Sequence, residues 1–503
     1  MIYISLYFYV FVGGMVLLYY VLPKKFRWLV LLAGSIGFYY KISQKGFWVF
    51  LATLAAGYGL GIGLESGKRE KEKKLTDETK ESGRAGKAKE GKKPGRWLLV
   101  VGIFLLAVPL VVTKNGDFVL KSLLHRKSYP WIVPVGMSFY TLQMISYLVD
   151  VFRGKIKALR NPGKFALFVT FFPQVVQGPI PRYEQLGNQL YEGHPFEEKE
   201  FCKGLQLIVW GFFLKFMIAD KASIVVNQVF DHWKAYQGGY VLVAGVLYSI
   251  QLYTDFLSCV CLSKGVAELF GIHLADNFRR PYLAESVKEF WGRWHISLSS
   301  WLRDYIYIPL GGNRKGRFRK YVHIFVVFTI SGIWHGAGYK YLFWGWVHGI
   351  YQIGGDLTKG LQNKIYDCLH MEEGGKARVW CRRLGTWFLV MIAWIIFRAD
   401  SLREGIAMVY KMITVYNPWI FFDDSLLRLG LSWKEWGMLG ISLWVLCKVE
   451  QTQEKEVLDV RDRILRQPLA LQWGFYLAAV AFIMVFGTYG FGFNAADFIY
   501  GGF

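Results

Sequence analysis

Apolar runs recur along this chain of 503 residues at lengths that match a bilayer, which sharply limits what it can fold into. They fall near 1–22, 28–40, 46–64, 97–113, 132–149, 203–219, 239–258, 321–336, 341–357, 384–397, 431–447 and 470–490, about twelve candidate spans. Length alone would suggest two or three soluble domains. Residues that are 53% hydrophobic and 18% aromatic point instead to one membrane domain over 1–503. Backbone polar groups in hydrocarbon must be satisfied inside the segment, so the expected class is all-α and polytopic, with about 11–13 transmembrane helices plus re-entrant and amphipathic ones. The opening "MIYISLYFYVFVGGMVLLYYVL" lacks a basic leader and a small-residue cleavage site, so it reads as a retained first span in the cell membrane.

The net charge of +23 invites a nucleic-acid reading, and its placement excludes one. With the N-terminus outside, the cytoplasmic connections are "PKKFR", 65–96, 150–164, 259–320, 358–383 and 448–467. These hold most of the lysines and arginines, and none lies beyond Arg466, so both termini are expected to be extracytoplasmic. The run 66–96, "SGKREKEKKLTDETKESGRAGKAKEGKKPGR", is polar and of low complexity, which reads as a flexible basic cytoplasmic loop. Six cysteines (Cys202, Cys259, Cys261, Cys368, Cys381, Cys447) show neither a disulfide framework nor zinc spacing, and no metal is expected. Matched broken helices of the transporter type are not visible.

Ionisable groups at depth carry the functional signal. The run ending in "ISGIWHG" offers about sixteen residues, about 24 Å of helix against a core of about 30 Å. A helix that stops short must satisfy its end inside protein or at a cavity, which places His335, beside Trp334 and Gly336, on such a wall. A hydrogen-bonded structural histidine is the bland alternative there, and the favoured reading for His348. In "ESVKEFWGRWHISLSSWLRDYIYIPLGGNRKGRFRK" (285–320), Trp291, Trp294, Leu298, Trp301 and Leu302 recur at helical spacing, with Arg293 and Asp304 off that stripe. An amphipathic helix is expected, at the membrane interface or re-entrant, with His295 able to face the bundle. "PLGGNRKGRFRK" lacks P-loop spacing; its cations are first a topology signal, second an anion patch. Asp255 lies in "LYTDFLSCV", with helix ends or Lys264 as alternative partners to a substrate. "FALFVTFFPQVVQGPIPRYEQL" (165–186) is broken by Pro173, Pro179 and Pro181 and reads as a re-entrant hairpin with Arg182 at its exit.

"GMSFYTLQMISYLVDVFRG", "FFPQVVQGPIPRYEQL", "EFWGRWHISLSSWLRDYIYIPLGGNR" and "SGIWHGAGYKYLFWGWVHG" together resemble the membrane-bound O-acyltransferase family, in its bacterial polysaccharide (alginate O-acetyltransferase-like) branch. The continuous resemblance spans 130–350, the expected catalytic core. It implies a central tunnel, His335 as the family's essential histidine and His295 as its second active-site position. Where members often carry "DFSGYSDMAIG", this chain has "DFLSCVCLSKG", keeping Asp255 and placing Cys261 at the second aspartate.

The implied reaction is transfer of an acyl group from a thioester, acetyl-CoA acting as donor substrate rather than bound cofactor, to an extracytoplasmic polysaccharide. A separate outer acetyltransferase of the SGNH type is the implied partner, besides the lipid bilayer. His335 would act as base, with His295 or the Trp334 indole orienting it or holding the oxyanion. Asp255, Arg182, Arg293, Asp304 and Asn313 are candidates for the substrate path, and Arg314, Lys315, Arg317 and Arg319 for the donor phosphates. D-alanyl transfer to teichoic acid from a carrier-protein thioester, a lipid-linked glycan transporter or flippase, and a non-catalytic scaffold are the rivals.

Overall fold

A computed structural model describes residues 3–82, 95–127, 129, 131–455 and 459–489. Among them there is no strand. The chain opens with α1 (Leu6–Val21), α2 (Arg27–Ile42), α3 (Phe47–Ser82), α4 (Arg96–Phe118) and α5 (Met137–Arg153). Two short helices, α6 (Pro162–Thr170) and α7 (Tyr183–Glu192), lead to α8 (Glu198–Phe213), α9 (Asp220–Asp231) and α10 (Gly239–Glu268). The segments α11 (Val287–Arg293), α12 (Ile296–Leu302) and α13 (Ile308–Leu310) precede the hairpin of α14 (Arg317–His335) and α15 (Tyr339–Cys368). The chain continues through α16 (Lys376–Arg398), α17 (Leu402–Thr414), α18 (Trp433–Lys455), α19 (Val460–Leu465) and α20 (Leu469–Phe486). Among the described residues, six helical stretches are long and apolar enough to cross a bilayer: Phe47–Gly67, Arg96–Ser122, Glu198–Asp231, Gly239–Glu268, Lys376–Arg398 and Leu469–Phe486. The other expected spans form helices that are shorter or carry more polar residues, as α1, α2 and α5 show.

The centre of the bundle is α10, most of whose 30 residues are buried, as expected of a helix that is apolar all round. The neighbouring α8 runs into α9 through a π-helical turn at Leu214–Ala219, so one continuous helix covers 34 residues. The extra residue in such a turn rotates the next stretch of helix about its axis, and Lys215, within the turn, lies in the core. The α14–α15 hairpin is tight because Gly332, Gly345 and Gly349 face the contact; a Cβ on Gly332 would lie 2.5 Å from the Tyr341 carbonyl oxygen.

Three sequence expectations change form. The polar run 66–96 is helical through Ser82, as its lysines and glutamates favour, and residues 83–94 lie outside the described residues. The single amphipathic helix expected over 285–320 is broken between Arg293 and Ile296, and its aromatic stripe is buried in the bundle rather than at an interface. Finally, α17 is a separate helix that the apolar runs do not mark. The proline-broken stretch after Thr170 does run non-helically through buried protein as expected. Its backbone is held from outside: Phe172 N–H donates to Ser35 Oγ at 3.2 Å and Tyr3 O–H donates to Phe172 O at 3.1 Å, while Gln143 Nε2 donates to Phe168 O at the end of α6 at 2.6 Å.

Candidate active site

Two interruptions of helix meet at the middle of the bundle, and each carries a histidine. The first is the end of α14, where His335 is the last helical residue and Gly336–Gly338 separate it from α15. The last carbonyls of a helix lack intrahelical partners and carry the negative end of its dipole. One is answered by a residue distant in sequence: the Lys114 ammonium, on α4, donates to Trp334 O at 2.7 Å and lies 5.1 Å from the Trp334 ring centroid. His335 is 2% exposed, its ring 4.9 Å from Trp334, 4.9 Å from Trp344 and 5.6 Å from Phe397.

The second interruption lies between α11 and α12. Trp294 is extended, and His295 adopts a left-handed backbone with φ +43°, a conformation that costs a non-glycine residue roughly 1–2 kcal/mol. Asn277 offsets that strain. Its carbonyl oxygen accepts Ile296 N–H at 2.9 Å, and its Oδ1 accepts Ser297 N–H at 3.1 Å and Ser297 Oγ–H at 2.8 Å, serving the free donors at the start of α12. The same Oδ1 lies 3.1 Å from His295 Nδ1. Because a backbone N–H can only donate, the Ser297 contact identifies this atom of Asn277 as oxygen. His295 Nδ1 therefore carries the proton, and the lone pair of the neutral ring sits on Nε2. His295 is 1% exposed, with Phe256 at 4.9 Å and Trp334 at 6.0 Å between ring centroids. Both histidines thus pack against one indole.

His348 sits one helix face away in a cage of rings, 5.0 Å from Trp291 and 4.9 Å from Trp344. Trp291 Nε1–H donates to its Nδ1 at 3.2 Å, the geometry of a structural histidine locked by packing.

Two cavities flank the breaks. One of about 490 Å³ lies between the α11–α13 segment and the α14–α15 hairpin. Lys288, Arg303, Asn313 and Lys320 line it, as do Ile296, next to His295 in the chain, and Ser331, one helical turn before His335. The other, of about 940 Å³, opens between α8, α10, α18 and α20 and reaches Asn277.

The structure separates the remaining candidates. Asp255 is buried and its partner is Lys215, Nζ to Oδ1 2.8 Å, with Asp220 on the same ammonium at 3.0 Å. The proposed partner Lys264 instead pairs with Asp276. Phe256, next to Asp255, is what touches His295. Arg182 and Asp304 meet at 3.1 Å, joining the end of the re-entrant stretch to the π-helical turn Arg303–Tyr307, and the guanidinium also lies 4.9 Å from the Tyr305 ring centroid. Arg293 turns away from the histidines to Glu289 at 2.8 Å and Glu454 at 3.1 Å. Asn313 lines the smaller cavity, but Arg314, Lys315, Arg317 and Arg319 are exposed outside it. The cavity takes its cations instead from Lys288 of α11, Arg303 of the π-helical turn and Lys320, one residue past Arg319 on α14. The Trp334 indole donates to Ser138 O at 3.4 Å, so its N–H points away from an oxyanion role.

Sequence reasoning missed Lys114, Lys215 and Asn277. Lys215 carried a usable signal, a cation inside the apolar run 203–219; Lys114, just past the run 97–113, and Asn277, in a polar loop, carried none.

The structure thus brings a buried histidine pair together at two helix breaks, and comparison with known proteins bears on the family. The model of the membrane-bound O-acyltransferase family matches residues 155–381. A protein of Pseudomonas fluorescens named "Probable alginate O-acetylase AlgI" is 31% identical over 80% of this chain and 73% of its own. The peptidoglycan O-acetyltransferase of Helicobacter pylori is 30% identical over 63% of this chain and 65% of its own. The teichoic acid D-alanyltransferase of Bacillus subtilis is 27% identical over 48% and 64%. With that extent of likeness to the alginate O-acetylase, and a family match that covers both interruptions, the chain is a multi-pass membrane enzyme of the membrane-bound O-acyltransferase family.

Proposed function

We propose that the protein moves an acetyl group from acetyl-CoA to hydroxyls of an extracytoplasmic polysaccharide, with His335 as general base and His295 as its partner. The observation that carries this is the convergence of both histidines on Trp334 at the ends of broken helices. The donor enters the cavity of about 490 Å³, its phosphates toward Lys288, Arg303 and Lys320 and its thioester toward Ser331, one helical turn before His335. As the acceptor oxygen attacks the thioester carbon, His335 takes the hydroxyl proton; the tetrahedral intermediate then collapses with loss of the CoA thiolate, to which the His335 imidazolium returns the proton. His295, held in the Nδ1–H tautomer by Asn277, offers its Nε2 lone pair to the imidazolium that forms. That lone pair removes His295 as an oxyanion donor and makes it a base-side residue. Acetyl is preferred to D-alanyl because the O-acetylating relatives match more of the chain at higher identity.

The connections rich in lysine and arginine favour a donor cavity on the cytoplasmic side and extracytoplasmic termini, where an SGNH-type partner would receive the acetyl group. The C-terminal "FGFNAADFIYGGF", expected to help dock that partner, lies outside the described residues. Mass spectrometry of surface glycans from cells with and without the gene tests the reading. Loss of O-acetyl esters on deletion, restored by wild type and not by His335→Ala, is the expected result. Unchanged acetylation with loss of D-alanyl esters would replace the acetyl reading with the rival.

A further inference from the structure

The chain between α14 and α15 is Gly336–Ala337–Gly338, so no side chain larger than a methyl group belongs to the tip that follows His335. Such a tip has little of its own to hold it, and glycine leaves its backbone many conformations. Two lysines from outside the tip supply the order. On α4 the buried residues Gly102, Leu106 and Leu110 recur four apart, and Lys114 is the next position on that face. Its ammonium donates to Trp334 O at 2.7 Å, the carbonyl of the peptide bond that joins Trp334 to His335. Lys340, in the first turn of α15, makes the same kind of contact on the other side. It donates to Ala399 O, just past the end of α16, at 2.7 Å and lies 4.8 Å from the Tyr341 ring centroid. That bond ties the start of α15 to the end of α16, whose Phe397 ring lies 5.1 Å from Tyr341 and 5.6 Å from His335. Tyr341 in turn covers the tip: a Cβ on Gly336 would lie 2.6 Å from its ring. Each ammonium meets the negative pole of a helix and serves a carbonyl that lipid cannot satisfy.

We propose that Lys114 and Lys340 clamp the α14–α15 tip at two points and are positioning residues for His335. The inference rests on the reading of His335 as the general base. Neither ammonium is asked to touch substrate. Lys114 fixes the peptide plane from which His335 hangs, and Lys340 fixes the aromatic wall, Phe397 and Tyr341, against which its ring and the tip pack. With either bond gone, the glycines let the tip turn, and the imidazole leaves the narrow range of positions from which it can take a hydroxyl proton. Turnover falls while donor binding stays, because along α14 the donor cavity is lined from Lys320 only as far as Ser331.

The test separates turnover from donor binding and from folding. Full-length Lys114→Met and Lys340→Met keep most of the side-chain length and lose the ammonium, while Lys114→Arg and Lys340→Arg keep a cationic N–H donor. Permeabilised cells receive radiolabelled acetyl-CoA at graded concentrations, and label recovered as base-labile ester is normalised to folded protein. Each methionine variant should lower kcat about tenfold or more with KM for acetyl-CoA within about twofold of wild type, and each arginine variant should stay within about threefold. Hydrogen–deuterium exchange of the purified protein in nanodiscs reads the tip without any reaction: peptides over 331–342 should exchange faster in the methionine variants, and those of α1 as in wild type. Methionine variants that keep more than half the wild-type kcat, arginine variants as slow as the methionine ones, or slow methionine variants with unchanged exchange at the tip would overturn the clamp. A wild-type protein that leaves no label would remove the acetyl reading instead, and the exchange at the tip would then decide the clamp alone.

Discussion

Asn277→Leu isolates the part of the site that is least apparent in sequence. In the native protein one oxygen accepts from His295 Nδ1, Ser297 N and Ser297 Oγ, at 3.1, 3.1 and 2.8 Å. Leucine removes the acceptor at similar bulk. The Ser297 hydroxyl can turn elsewhere, so two buried donors, Ser297 N–H and His295 Nδ1–H, lose their partner. At about 1–3 kcal/mol for each stranded donor, the folded state loses about 2–6 kcal/mol, with the lower part expected because the ring can shed its share. It does so by moving its proton to Nε2, the nitrogen whose lone pair the mechanism uses. Regaining the active tautomer then costs the same 1–3 kcal/mol, which slows transfer by roughly 5- to 150-fold. Asn277→Asp is the companion variant, since a carboxylate oxygen accepts all three bonds, and it should stay within about tenfold of wild type. The assay is glycan acetylation in membranes, normalised to folded protein by fluorescence size exclusion, together with a thermal midpoint. If Asn277→Leu keeps more than half the wild-type rate, or the aspartate variant is slowed as much as the leucine one, His295 is not held by Asn277 for catalysis.

His335→Ala should reduce transfer by at least about a hundredfold with normal insertion; retention of a tenth of the wild-type rate would remove its role as base. Lys215→Met removes the cation that Asp220 and Asp255, each almost fully buried, share, and should cost about 3–5 kcal/mol in a thermal or denaturant melt. Asp220→Asn, which removes only the surplus negative charge of that triad, should cost no more than about 1.5 kcal/mol, and equal damage from the two would refute the ion-triad account. Ala495→Cys should be labelled by an impermeant maleimide on intact cells; labelling only after permeabilisation would reverse the proposed topology.

His335 is legible in the sequence because the signal is local: an apolar run too short to span, closed by glycines, with a histidine on its last turn. His295 is harder. Its stretch has helical periodicity, and the periodicity is real in α11 and α12 separately, yet the break between them is imposed by Asn277, which no spacing rule links to it. The same holds for Lys114, whose ammonium reaches the end of α14 from a helix more than two hundred residues away. A run of cations in sequence is a poor guide to contact: Arg314, Lys315, Arg317 and Arg319 stay on the surface, while the cavity draws Lys288, Arg303 and Lys320 from three elements. Periodicity likewise finds most of the helices but not where α3 ends, because lysine and glutamate favour helix as readily as they favour solvent.

The two breaks share a physical logic that bears on which residues matter. A helix interrupted in a bilayer exposes backbone groups that neither lipid nor its own turns can satisfy, so the interruption persists only while something distant supplies the missing partner. Lys114 supplies it for the carbonyl end of α14, and Asn277 for the amide start of α12. Each of these residues lies outside the motif it serves, and each is fixed by a bond to backbone rather than to a histidine alone. Their loss would let the helix end relax by a fraction of a turn, and a turn is about 5.4 Å, so even a small rotation carries an imidazole out of reach of a hydroxyl it must approach within about 3 Å. The reactivity of the histidine pair is therefore a property of the two breaks and their remote anchors, and substitutions at Lys114 and Asn277 should impair transfer more than those at the nearer Arg293, whose side chain turns to Glu289, Glu454 and the Arg279 carbonyl.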